Sequence, residues 1–493
     1  MPIHWRKILP NDTLSGLQFF QLFRYGSVFL ISIILPRAGL SLDEVGVYEA
    51  FLLFAGIVSF FWLTGLIQAL LPLAGEDVTR DTKHETRNPE DVIRDTKLVT
   101  RNPGESSLPR HASGVTRHDS SASRVTRHVS RKFFNSFLLL TLFSLLAAGT
   151  IILASPLLGK LLGKELPHEI VWLVVIYLVL FAPSTLVEYW YVIANETKKL
   201  VRYGVVAFTL QILMVGIPVI IGLGVKGAIW GMIAAGGFRM IWLITILVRN
   251  GDFHISFPFW KNYLQLGTPI LMSVLLSGSA QYISSMIVVA KFDPAVFAIF
   301  RYGARELPLV ALLAHALSNA MVPVISREGP AAGLKQLRER TSRMASWMFP
   351  FTIGLVLVAY LLFPAVYGMN YLESAGVFNL FLLLITSRLL FPQTVLIALK
   401  KTRILMIVAF LEMILNIGLS LWLVQIWGIR GVALATVIAY YFERAALMSY
   451  TRVVMGIPAS QYMDVRKHFS WSAILLAAYL LAELVIYPLM RGL

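Results

Sequence analysis

The chain has 493 residues, 57% of them hydrophobic and only 14% charged, with a mean hydropathy of +0.71 and a formal net charge of +16. A soluble protein of this length could not cover so much apolar surface, so the composition implies a polytopic membrane protein. Cysteine is absent, which excludes disulfides, thiol catalysis and Cys-ligated metals.

The start, "MPIHWRKILPNDTLSG", leads into a full-length apolar stretch without a small-residue cleavage site, so no removable signal peptide is expected. A membrane span needs about 20 mostly apolar residues. Thirteen such stretches follow one another at 15–36, 46–73, 133–157, 169–193, 202–223, 227–248, 262–290, 295–324, 345–367, 372–398, 404–426, 429–450 and 470–490. The expected fold is an all-α bundle, because helices satisfy their own backbone groups in lipid. Of the 43 Lys and Arg residues, 30 lie at the N-terminus and in the loops after even-numbered spans. Only seven lie in the remaining loops and at the C-terminus, with Arg202 and Arg430 at span ends counted as loop residues. This asymmetry predicts a cytoplasmic N-terminus and, with thirteen spans, an outer C-terminus. The basic excess is therefore a topology signal, and nucleic acid is not an expected partner.

The loop after span two differs in kind. "RDTKHETRNP" at 80–89 recurs as "RDTKLVTRNP" at 94–103, and "VTRH" occurs at 115–118 and 125–128. A polar, charge-mixed repeat cannot bury a core, so 76–132 is expected to be a disordered cytoplasmic insertion. Four of the nine histidines fall here, but not at ligand spacing, and no metal site is expected.

Spans five and six, "VVAFTLQILMVGIPVIIGLGVKGAIWG", resemble spans eleven and twelve, "IVAFLEMILNIGLSLWLVQIWGIRGVALA". Val206-Ala207-Phe208 matches Val408-Ala409-Phe410, and Gly224-Val225-Lys226-Gly227 matches Gly428-Ile429-Arg430-Gly431. The matched pairs are six spans apart, an even number, so both copies insert in one direction as a parallel repeat. The expected architecture is a six-helix lobe over 1–250, a second over 251–450, a central cleft, and an extra transmembrane helix within 451–493.

Three stretches carry a family resemblance: "LPRAGLSLDEVGVYEAFLLFAGIVSFFWLTGLIQALLPL", "FAIFRYGARELP…NAMVPVIS" in span eight, and the "GVKGAIWG" turn. They resemble the polysaccharide-flippase branch of the multidrug/oligosaccharidyl-lipid/polysaccharide exporter superfamily, over nearly all the chain except 76–132. The resemblance implies lobes that rock to expose a central, often cationic cavity to each side in turn. It also implies undecaprenyl-pyrophosphate-linked oligosaccharide as substrate and residence in the bacterial inner membrane. Surface polysaccharide synthesis (O-antigen, exopolysaccharide or capsule) would supply a polymerase and glycosyltransferases as candidate partners.

Polar residues inside the spans are the candidate site. Span one carries Gln18, Gln21, Arg24 and Tyr25, and Arg24 lies roughly ten ångströms beyond Gln18 along a helix. Span four carries Glu188, a candidate for Na+ or H+ coupling, with an interhelical hydrogen bond as the plainer role. Span seven carries Ser273, Ser277, Gln281 and Ser284 within about 80° of one another, although small hydroxyl residues also serve close helix packing. On span eight, Arg301, Arg305, His315 and Asn319 fall within about 80° on a continuous helix, with Glu306 off that stripe. An arginine at mid-bilayer costs about 2.5–3.5 kcal/mol even on a lenient scale. The stripe is therefore expected to line the cleft, where guanidinium forks would hold the lipid pyrophosphate. Arg301, near its span end, could instead snorkel, and His315 could be a packed core histidine. Arg239 and Arg444 hold matching repeat positions and read as architectural. Arg388 and Glu412 could pair. Glu49 and Glu483 have no distinguishing context.

A small-cation or multidrug exporter of the same fold would favour acidic cavity groups, and the best-placed groups here are arginines. A polysaccharide polymerase or ligase would need a long outer catalytic loop. The outer loops are short and hold no catalytic constellation, so an enzyme is not expected. No phosphate-binding Walker loop is present, and no cofactor is expected. Replacing residues 78–130 with a short flexible linker should leave membrane abundance and transport unchanged, as read by immunoblot and glycan display. Loss of transport at normal abundance would give the segment a specific task.

Overall fold

The computed structural model describes residues 13–85, 116–162, 168–250, 253–278, 280–305 and 308–492. Among them the chain is helical with short connections, and there is no strand. Every expected span falls on helix, and the all-α membrane bundle stands. Among the described residues, nine helices are individually long and apolar enough to cross a bilayer, or ten with the bent pair Leu42–Phe60 and Trp62–Leu73. The difference from thirteen has three sources. Spans eleven and twelve run together as Arg403–Val453, with non-helical backbone only at Trp427 and Gly428. Span seven is a pair, Phe257–Gly278 and Ala280–Lys291. Span eight is a pair too, Pro294–Gly303 and Pro308–Glu328.

Several expectations are corrected by such breaks. Span eight is not one helix: its first half ends at Gly303, and Pro308 opens the second. Proline lacks the N–H for the helix ladder and disfavours helical backbone in the residue before it. Span ten likewise divides into Leu372–Leu382, Leu384–Arg388 and Pro392–Ala398, with Pro392 opening its last piece. Span four breaks at Thr185, between His168–Ser184 and Leu186–Ile193. The insertion is helical at both flanks rather than disordered, because Leu42–Glu85 and Thr116–Leu162 run out of spans two and three. A nucleated helix extends at little cost per residue, so a polar tail can continue it. Residues 86–115 lie outside the described residues.

In the first half of the chain, span one packs on span five, two on three and four, three on four, and six on four and five. In the second half, span seven packs on the Arg403–Val453 helix, eight on nine and ten, and nine on ten. Span two is the shared element. It packs on span eight through Pro294–Gly303 and on span seven through Phe257–Gly278. The thirteenth helix, Val465–Leu481, lies against span nine, Pro330–Tyr367.

The repeated Gly-x-(Lys/Arg)-Gly signature has a backbone cause. Gly224 and Gly428 have φ of +61° and +57°, in the left-handed region that side chains rarely adopt. Gly227 and Gly431 serve close approach: a Cβ on Gly227 would lie 2.7 Å from Leu223 Cβ, and one on Gly431 would overlap the Leu423 carbonyl. Around Gly428 the space is open, with the nearest atom on the Phe292 ring at 3.9 Å. Gly428→Ala should therefore cost only backbone strain, about 1–3 kcal/mol at φ +57° and ψ −136°, whereas Gly431→Ala must displace main chain. Thermal unfolding of the detergent-solubilised protein should rank Gly431→Ala below Gly428→Ala, and the reverse order would contradict this account.

Candidate functional site

Span two brings a carboxylate to the arginines of span eight. Glu49 is 2% exposed, seven residues into its helix, and it accepts bonds from both Arg301 Nε (3.4 Å) and Arg305 Nη2. The Arg305 guanidinium also lies over the Tyr302 ring, 4.2 Å from its centre. Tyr302 is itself buried and donates to the Ser32 carbonyl of span one at 3.0 Å. The cluster therefore joins spans one, two and eight. Arg301 and Arg305 keep 34% and 24% of their side-chain surface exposed. Among the described residues, the buried Arg305 Nη1 has no hydrogen-bond partner. One carboxylate against two guanidinium groups leaves a positive balance, and a planar fork with a spare donor suits a phosphate oxygen.

Neighbouring contacts close the same end of the bundle. Arg37 at the end of span one donates to the Ala365 and Val366 carbonyls of span nine, the latter at 2.9 Å. A Cβ on Gly46 would overlap the backbone of Pro294. Tyr302, Tyr367 and Tyr371 stack with ring centres 4.8–5.7 Å apart. Removing one member of a buried pair costs about 3–5 kcal/mol, so Glu49 holds both the arginines and the helices that carry them.

A second charge site lies deeper along span one. Arg24 Nη1 is 3.7 Å from Glu188, whose side chain is almost fully buried while that of Arg24 is 39% exposed. Glu188 sits just past the span-four break, in Leu186–Ile193. Gln21, one turn away, is half-buried, and its buried Oε1 has no hydrogen-bond partner among the described residues. Ser32 lies eight residues beyond Arg24, so about 12 Å of helix separates the two charge sites in depth.

The break in span eight divides the expected stripe between two helices. Arg305 follows the end of the first helix, while His315 and Asn319 ride on the second, where both are exposed. His315 instead borders a pocket of about 50 Å³ with Arg388, Gln393, Thr394 and Arg444. Glu306, and the side chains of Ser273, Ser277 and Gln281, lie outside the described residues. Ser284 is buried and hydrogen-bonded to Thr436 at 2.8 Å, a packing contact. Arg388 and Glu412 do not form the expected pair: Arg388 lies 6.0 Å from the Tyr440 ring centre, and the charged neighbours of Glu412 are Glu443 and Arg444. The matched arginines differ in their contacts. Arg239 is buried over Phe208 at 4.8 Å, and Arg444 donates to Gln393 at 3.1 Å.

Sequence reasoning passed over Glu49. The signal was available: a carboxylate in "EVGVYEAFLLFAG" bears a burial penalty comparable to the arginine's and must find a cation. Among the described residues no group of three or more His, Cys, Asp or Glu is placed to hold a metal ion.

A model of a family described as polysaccharide biosynthesis protein matches residues 122–376. No curated protein matches the chain at a significant level. Among solved structures, the chain is similar to the lipid II flippase MurJ in an inward closed conformation, with a TM-score of 0.59 and 16% identity over 95% of this chain and 98% of that one. It is also similar to an inward-facing multidrug resistance MATE family transporter of the MOP superfamily, with a TM-score of 0.50 and 13% identity over 94% and 98%. At these identities the likeness bears on the fold.

The contacts of Glu49 yield a direct test. In this cysteine-free chain, Ser32→Cys places a thiol at a position that is 1% exposed beneath the cluster. A membrane-impermeant maleimide should label it slowly, and adding Glu49→Gln should raise labelling several-fold by releasing span eight from span two. Unchanged labelling would show that Glu49 does not hold this end shut.

Proposed function

The chain belongs to the polysaccharide biosynthesis protein family, and from that premise we propose that it is a flippase for lipid-linked oligosaccharide. Its substrate would be an undecaprenyl-pyrophosphate-linked glycan, carried from the cytoplasmic to the outer leaflet of a bacterial inner membrane for O-antigen, exopolysaccharide or capsule. The observation that carries this reading is the pair of partly exposed arginine sites at membrane depth, Arg24 with Glu188 and Arg301/Arg305 with Glu49. A cationic drug would be repelled by the Arg301/Arg305 cluster, which carries two guanidinium groups on one carboxylate, and the Arg24–Glu188 pair offers it no free carboxylate.

The Lys/Arg distribution places the Glu49 cluster toward the outer leaflet and Arg24 nearer the cytoplasm. On this orientation the structure is closed outside. The pyrophosphate enters at Arg24, with Gln21 turned toward its oxygens, while the polyprenyl tail stays in lipid. Glu188 acts as the counter-ion that holds Arg24 in place, which is a plainer role than ion coupling. Exposed Asn319 and His315 supply hydrogen-bonding surface for the glycan. When the phosphate reaches Arg305, it competes with Glu49 for the same guanidinium groups. A dianionic group facing two guanidinium groups can replace the carboxylate that holds the outer end shut, which couples substrate arrival to opening. Two six-helix lobes that rock about span two would supply the motion, and the recurring neighbour pattern of the two halves supports that division.

The test is charge removal at constant abundance. Arg24→Gln and Arg305→Gln should each abolish flipping, measured as lipid-linked glycan trapped on the cytoplasmic leaflet. Lysine at either site should restore part of it, because it keeps the charge without the bidentate fork. Normal transport by the glutamine variants would overturn the arginine mechanism.

A further inference from the structure

Span nine is longer than a bilayer needs. Pro330–Tyr367 has 38 residues, which is about 57 Å of helix against a hydrocarbon core of about 30 Å. Its first four turns are amphipathic: Gly333, Leu334, Leu337, Thr341 and Met344 are buried, whereas Lys335, Arg338, Arg340 and Arg343 are exposed. The exposed side forms a groove of about 410 Å³ with the start of the thirteenth helix. Lys335, Arg338, Arg343 and Lys467 line it, against only Glu339 and Asp464.

Four cations face two carboxylates, so the groove keeps a positive balance, and neither acid is in a salt bridge with those cations among the described residues. The Asp464 carboxylate caps its own helix, accepting from the Lys467 backbone N–H at 3.1 Å. The Lys467 ammonium is held by neutral acceptors: the Ser342 carbonyl and Oγ at 3.1 and 3.0 Å, and Ser346 Oγ at 2.7 Å. None of the four cations is in an ion pair among the described residues. The charge is also layered. Arg343 and Lys467 lie within a turn of the inner ends of their spans, with Arg338 and Lys335 one and two turns farther out. On the hydrocarbon side follow Trp347 and Phe469, 46% and 75% exposed, as interfacial aromatics do.

We propose that this groove binds the headgroup of an anionic phospholipid of the cytoplasmic leaflet. The lipid phosphate accepts from Arg343 and lies in the field of the Lys467 ammonium, whose three donors Ser342 and Ser346 hold in place, and its anionic headgroup reaches toward Arg338 and Lys335. Its acyl chains pass Trp347 and Phe469 into the bilayer. The bound lipid bridges span nine to the thirteenth helix at the inner end. At the other end the same helix is fixed by protein alone, through Arg430 to Glu483 at 2.8 Å and Tyr487 to Glu373 at 2.8 Å. The groove is independent of the arginine sites inside the bundle, and its test does not require transport.

The experiment is native mass spectrometry of the full chain, released from detergent micelles containing equal phosphatidylglycerol and phosphatidylcholine. The protein should retain phosphatidylglycerol over phosphatidylcholine by several-fold, and Lys335→Gln/Arg338→Gln/Arg343→Gln should bring retention of the two lipids close to equal. A charge-matched control, Lys198→Gln/Lys401→Gln/Arg403→Gln, removes three exposed cations elsewhere on the same face and should keep it. Inorganic phosphate at the same concentration should not compete, because the site needs a headgroup delivered with its chains. Equal retention of both lipids, equal loss in the control, or displacement by free phosphate would each overturn the proposal.

Discussion

Hydrocarbon does not solvate a guanidinium, and much of this bundle follows from how each intramembrane arginine meets that constraint. Arg301 and Arg305 share Glu49, Arg24 has Glu188, and Arg430 has Glu483. Arg239 lies on aromatic faces, and Arg444 uses a glutamine. Each of these arginines has a partner on another helix, although Arg444 also pairs with Glu443 of its own, so the solution to a solvation problem is at the same time a stitch between helices. Lipid supplies no hydrophobic force to press helices together, and such polar stitches carry a larger share of the specificity than they would in water. The stitches that leave guanidinium surface exposed can do more than hold, because an anion can take the place of the carboxylate.

How much of this was legible in the sequence depends on the range of the signal. Span positions follow from local composition, and all thirteen stretches lie on helix. The matched glycines of the two hairpins were visible as spelling, and their positive φ explains the spelling. Pairing is a long-range property. Glu49 could not be assigned to Arg305, 256 residues away, without knowing that span two lies against span eight. Arg388 and Glu412 looked complementary in depth, but they face different neighbours.

The divided stripe on span eight shows a different limit. A periodicity argument assumes one continuous helix, and the helix that ends at Gly303 does not run on through Ala304 and Arg305. The proline was in plain view, and its effect on phase matters more than its effect on helix stability. Span ten, broken ahead of Pro392, shows the same effect. The thirteenth helix offers the opposite case: Glu483 lies in a π-helical turn, Ala482–Ile486, inside a sequence with no breaker until Pro488. There the carboxylate's need for Arg430 and Tyr360 accompanies a shift of backbone register that no local signal announces.

The gap in span eight also has a mechanical meaning. A continuous helix transmits torque along its whole length, so twisting one end would shear the ion cluster at the other. The first half ends at Gly303, with Ala304 and Arg305 outside the helix, and the second begins at Pro308, which leaves two shorter rods in place of one. The half that packs on span two is tied by the Glu49 cluster, while the half that carries His315 and Asn319 packs on spans nine and ten. Arg305 lies just past the end of the first rod. Were the two halves to move relative to each other, the ion cluster would feel that movement only through the backbone torsions beyond Gly303, as a clutch couples two shafts.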